Sequence, residues 1–122
     1  MEWAVGVVTT PREDISYLSR TLDSLRDAGF PSPTIFGEPG SPICESATYT
    51  IRPKQYGDWT NWFCGLAEIV YANPQADYVA MFEDDVVTCR NARQYLDQSL
   101  SQLEEFATFS LYTPGVYHKK SA

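Results

Sequence analysis

The chain has 122 residues, 43% hydrophobic and 20% charged, which suits one domain over 1–122 with a core of its own. Nine basic against sixteen acidic residues give a net charge of −7, which argues against a nucleic-acid partner held by phosphate neutralisation. Cys44, Cys64 and Cys89 form no CxxC pair, so neither a disulfide framework nor a thiolate zinc site is expected. The amino end carries no basic leader and no apolar run of bilayer length, and the expectation is a cytoplasmic protein without a membrane span.

Trp3 to Val8 is a short valine-containing run that reads as a buried strand. Thr10, Pro11 and Glu13 then fit the N-cap, first and third positions of a helix. Ile15, Leu18, Leu22 and Leu25 continue it at helical spacing until Gly29 and Pro31. Thr34 to Gly37 reads as a second strand, Glu38 to Ser46 as a Pro/Gly loop, and Thr48 to Arg52 as a third strand. From Thr60, an apolar stripe of Trp62, Phe63, Leu66, Ile69 and Val70 predicts a helix ended by Asn73-Pro74. Tyr78 to Phe82 is the clearest buried strand. Asn91 or a neighbour opens a helix carrying Ala92, Leu96, Leu100 and Leu103, and Ala107 to Tyr112 resembles a fifth strand. The order β-α-β-β-α-β-α-β predicts an α/β fold, with a mostly parallel central sheet and helices on both faces. Ligands of such sheets bind beyond the carboxyl ends of the strands.

Glu83, Asp84 and Asp85 stand at that end of the Tyr78–Phe82 strand. Neighbouring carboxylates repel by about 1 kcal/mol in water and several times that near a protein surface, so a compensating cation is expected. If the extended backbone persists, Glu83 and Asp85 share one side and Asp84 faces the other. Hard oxygen donors of this kind suit Mg²⁺ or Mn²⁺, with water and substrate phosphate completing the shell. The competing reading is a solvated loop or a helix-start region.

"FEDDVV" after a hydrophobic strand, with "AVGVVTTPRE" at the amino end and "GDWTNWFCGL" between them, resembles the nucleotide-sugar-binding half of a GT-A fold glycosyltransferase. The resemblance covers essentially the whole chain and places Glu83-Asp84-Asp85 on the family's Asp-X-Asp signature. It implies a Rossmann-like fold, a nucleoside-diphosphate sugar donor, and an acceptor that is a glycan, lipid or protein. It makes Asp85 the direct metal ligand, with Glu83 and Asp84 approaching the ribose or reaching the metal through water. It also lays Thr9 to Arg12, Thr10 included, along the base and sugar, with Arg12 near the diphosphate. A complete enzyme of this type continues further, so a truncated or minimal form is expected, and no catalytic base can be assigned.

Around Gly57 to Leu66, Trp62 and Phe63 read as core, with a donor-side wall as the alternative. Asp58 and Asn61 either bond the nucleotide or sugar, or belong to a helix start capped by Asp58 or Thr60. Arg52 and Lys54 read as a solvated strand end, with a phosphate contact as the alternative. His118 is the single histidine, so no multi-histidine site is available; it lies too near the chain end to be assigned to the metal. Two other functions compete with this one. A Toprim-type magnesium phosphoryl-transfer domain needs a glutamate ending the first strand, where Val8-Thr9-Thr10 stands. A non-catalytic interaction module would make the triplet an acidic patch. Open sheet edges also leave room for a homo-oligomer.

Overall fold

The structure, a computed structural model, describes residues 1–44 and 47–103. Its elements are β1 (Trp3–Thr9), α1 (Ser16–Asp27), β2 (Thr34–Gly37), β3 (Thr48–Ile51), α2 (Asp58–Ala72), β4 (Tyr78–Glu83) and α3 (Ala92–Leu100). The strands form one all-parallel sheet in the order β3-β2-β1-β4. The expected fifth strand at Ala107 to Tyr112 and His118 lie outside the described residues. From β1 the chain winds first toward β2 and β3, then crosses back to β4 on the other side. The winding direction therefore reverses between β1 and β4, where such sheets open a crevice at their carboxyl ends.

Side-chain alternation sorts the strand residues onto two faces. Val5, Val7, Ile35, Ala80 and Phe82 join Leu18, Leu25, Ala28 and Phe30 of the α1 region in one core, and Ala92 and Leu96 of α3 pack against it. Ala4, Phe36 and Ile69 of α2 form the core opposite, with Val8, Val79 and Met81 around them. Helices thus cover both faces, which explains why β1 and β4 read as continuous apolar runs. No described helix is long and apolar enough to cross a membrane.

Several boundaries differ from the sequence expectation. Helix α1 begins at Ser16, so Thr10, Pro11 and Glu13 lie in the preceding loop rather than at a cap. The N-cap is Ile15, with no side-chain cap bond; just before it the Asp14 carboxylate accepts the Ser16 hydroxyl and backbone N–H at 2.6 and 2.9 Å. Those two bonds hold the Asp14 pKa below the ordinary aspartate value, the hydroxyl contributing most. Ile15, expected on the buried stripe, is exposed, whereas Thr21 and Ser24 are buried. Leu103, expected in α3, lies beyond its end. Asn91 does open α3, from a left-handed conformation with φ 63° that asparagine tolerates.

In α2 the buried face is Asn61, Gly65 and Ile69. Phe63 and Val70, both expected in the apolar stripe, are 56% and 51% exposed. The reason is the approach at Gly65. A Cβ there would stand 2.9 Å from Phe36 Cδ2 and 3.2 Å from Met81 Cε, so the sheet demands the residue without a side chain and turns Phe63 outward. Neither Asp58 nor Thr60 caps α2; the N-cap is Gly57, at φ 82° and ψ 158°, with no side-chain cap bond. That backbone region is essentially restricted to glycine. Gly57→Ala is therefore expected to destabilise the fold by about 1–3 kcal/mol in a urea melt, although the added Cβ would meet nothing within 4 Å. An unchanged midpoint would mean that the loop before α2 relaxes without cost.

Candidate ligand site at the ends of β1 and β4

Strand β4 ends at Glu83, and Asp84 and Asp85 turn away from it, the Val86 N–H donating to the Glu83 carbonyl at 3.4 Å. The extended geometry that would set Glu83 and Asp85 on one side stops one residue into the triplet. Glu83 pairs in register with Val8, and both carry the parity of Met81 on the α2 face. Asp84 continues the parity of Phe82 toward α1 and is buried, 3% exposed.

Burying a carboxylate requires partners, and Asp84 has a full set. Thr9 Oγ1 donates to Oδ2 at 2.8 Å; Arg12 Nε donates to Oδ2 at 2.8 Å and Nη2 to Oδ1 at 2.6 Å. Thr21 Oγ1 of α1 donates to the Asp84 backbone carbonyl at 2.7 Å. One residue thereby ties the ends of β1 and β4 to α1 and to the loop between β1 and α1. The bidentate pairing holds the Arg12 pKa above its ordinary value, the Asp84 hydrogen bonds contributing most. Arg12 Nη2 is also 3.8 Å from Asp85 Oδ2, and its guanidinium lies 5.1 Å over the Tyr17 ring. Arg12 thus neutralises the middle carboxylate from within the chain, which offsets part of the repulsion within the triplet.

Beside this pair a cavity of about 520 Å³ opens at the reversal of winding, a size within the range of small-molecule sites. Thr9, Thr10 and Arg12 border it from the end of β1, Glu83 and Asp84 from the end of β4, and Asp58, Trp59, Asn61 and Trp62 from the first turn of α2. Thr9, Thr10, Arg12, Asp58, Asn61, Glu83 and Asp84, expected to contact the nucleotide sugar, border this one space, while Pro11 and Phe63 do not. Asp85, expected as the metal ligand, stands next to it, in reach of Arg12.

Asn61 plays a part that periodicity alone did not assign. It is buried, its Oδ1 accepts Arg52 Nε at 2.8 Å, and its Nδ2 donates to the Phe36 carbonyl at 3.0 Å. Arg52, expected as a solvated strand end, is 5% exposed. Its Nη1 meets Glu68 Oε1 at 2.6 Å, and its guanidinium lies 5.2 Å over Phe36 and 5.1 Å over Tyr56. The pair anchors the first turn of α2 to β2 and so fixes that wall of the cavity. An asparagine one helical turn before Gly65, on the face that also carries Ile69, was the available sequence signal.

Among the described residues no group of three or more His, Cys, Asp or Glu is placed to hold a metal ion. Glu83 and Asp85 are both exposed. Each is a hard carboxylate of the kind that suits Mg²⁺ or Mn²⁺. Searches against protein-family models, curated proteins and solved structures each found no match to this chain.

Proposed function

We propose that the chain is a metal-dependent, glycosyltransferase-like domain of Rossmann-like GT-A type, which binds a nucleoside-diphosphate sugar in this cavity and transfers the sugar to an acceptor. One observation carries the proposal. Residues separated by most of the sequence, Thr9, Thr10, Arg12, Asp58, Asn61, Glu83 and Asp84, border a single cavity at the winding reversal of a parallel sheet, where such folds hold ligands.

In this function Thr9 and Thr10 line the donor from the end of β1, and Arg12 faces the diphosphate. Asp84 acts through Arg12 and Thr9, fixing the guanidinium so that little rotamer freedom is lost on binding. Glu83 and Asp85 would hold Mn²⁺ or Mg²⁺ together with the diphosphate, and the ion would stabilise the charge that develops on the leaving group. Asp58, at the first turn of α2, bonds hydroxyls of the donor.

The test is a thermal-shift screen of nucleoside-diphosphate sugars with and without manganese, since a ligand selective for the folded state raises its stability. The expected result is an upward shift for one donor, equivalent to about 2.7 kcal/mol at a hundredfold excess over Kd, present with manganese and absent with EDTA. No shift with any donor in either condition would overturn the proposal.

A further inference from the structure

We infer that Trp59 and Phe63 form a stacking platform for a neutral pyranose ring, the acceptor side of the site, which makes the acceptor a glycan. The assignment of the ring as acceptor rests on the function proposed above; the binding itself does not. Trp59 is 74% exposed and Phe63 56%, an arrangement that leaves large apolar rings in water on the first turns of α2. The rings are nevertheless ordered against one another. Their centroids are 5.7 Å apart at an interplanar angle of 24°, and Phe63 meets Trp62 edge-on at 5.3 Å and 88°. Trp59 and Trp62 both border the cavity, so the platform continues the wall of the ligand site.

The chemistry of the rim selects the occupant. Asp58 and Glu83 border the cavity beside the tryptophans and are exposed, while Arg12 is engaged by Asp84. Without a bound cation, the carboxylates at this edge disfavour an anionic partner, and an apolar one would leave them without hydrogen-bond donors. A neutral pyranose is suited to it: its C–H face lies on an indole, and its hydroxyls donate to carboxylates.

The experiment is saturation-transfer NMR on the whole chain without any donor or metal, using as probes a panel of methyl glycosides and neutral oligosaccharides of glucose, galactose, mannose and N-acetylglucosamine. The expected result is saturation of ring C–H protons by at least one oligosaccharide, with millimolar affinity and quenching of tryptophan fluorescence. Trp59→Ala is expected to weaken that binding at least tenfold with an unchanged melting temperature, and Trp59→Phe to restore most of it. Phe63→Ala, which alters the platform at a residue that does not border the cavity, should also weaken saccharide binding while the manganese-dependent donor shift persists, so that loss of the platform and loss of the donor site are read separately. Absence of saturation transfer across the panel, or transfer untouched by Trp59→Ala, would overturn the inference. So would quenching by free nucleosides that Trp59→Ala abolishes, which assigns the rings to a base, or self-association that it abolishes, which assigns them to a second copy.

Discussion

Replacing Asp84 with alanine is expected to lower the unfolding free energy by about 3 kcal/mol, a fall in melting temperature of roughly 10 °C for a domain of this size. The side chain is 3% exposed and takes hydrogen bonds from Thr9 and from two nitrogens of Arg12. Its removal leaves the buried Thr9 hydroxyl without that acceptor and Arg12 without its counter-charge. Arg12 is about one-third exposed at the side chain, so after the loss it can turn into water, which limits the damage. The reverse substitution is worse. Arg12→Ala leaves a carboxylate that cannot leave the interior, at a cost of about 3–5 kcal/mol. The double variant should therefore be more stable than Arg12→Ala alone, because it removes the stranded charge together with its partner. Urea melts of the two single variants and the double variant, with unchanged m-values, check this. If the loss in the double variant equals the sum of the two single losses, Arg12 and Asp84 do not act as a pair.

The second large effect is expected at Phe36. The ring is 2% exposed and is the centre of the core between the sheet and α2. It lies against the close approach of Gly65 and under the Arg52 guanidinium. Phe36→Ala should cost about 3–5 kcal/mol, a large share of the 5–15 kcal/mol typical of a folded domain. The consequences differ from those at Asp84 in place as well as size. Asp84 ties the strand ends to α1 and the loop before it, whereas Phe36 supports the first turn of α2, which carries Asp58, Trp59 and Asn61. Amide hydrogen exchange should accordingly show α2 opening in Phe36→Ala while β1 and β4 stay protected. Uniform loss of protection across all elements would contradict this division.

Particular residues show what the sequence made legible and what it did not. The apolar runs of β1 and β4 were readable because both faces of a parallel sheet are covered, and the acidic triplet was readable from its position after the second run. The start of α1 was misread because Thr10-Pro11-x-Glu13 satisfies the local rules of a cap. What overrides them is long-range: Arg12 is drawn to Asp84, 72 positions away, and the segment stays a loop. Hydropathy alone misassigned Phe63 and Val70, since the helix face toward the sheet is chosen by where Gly65 lets backbone approach. Arg52 was misread for a similar reason. A charged residue reads as solvated unless its partners are known, and Asn61, Glu68 and two aromatic faces come together only in three dimensions. The cavity itself was legible as a set of residues but not as a shape, because the distance between the ends of β1 and β4 follows from strand order.

The cavity is proposed to hold a diphosphate through Glu83, Asp85 and a divalent cation. This is tested most directly by calorimetric titration of a nucleoside-diphosphate sugar into the wild-type chain and Asp85→Ala, each in manganese and in EDTA. Binding by the wild type in manganese, with affinity falling at least tenfold, or about 1.4 kcal/mol, on either EDTA addition or the substitution, is the predicted result. Equal affinity in all four titrations would contradict it.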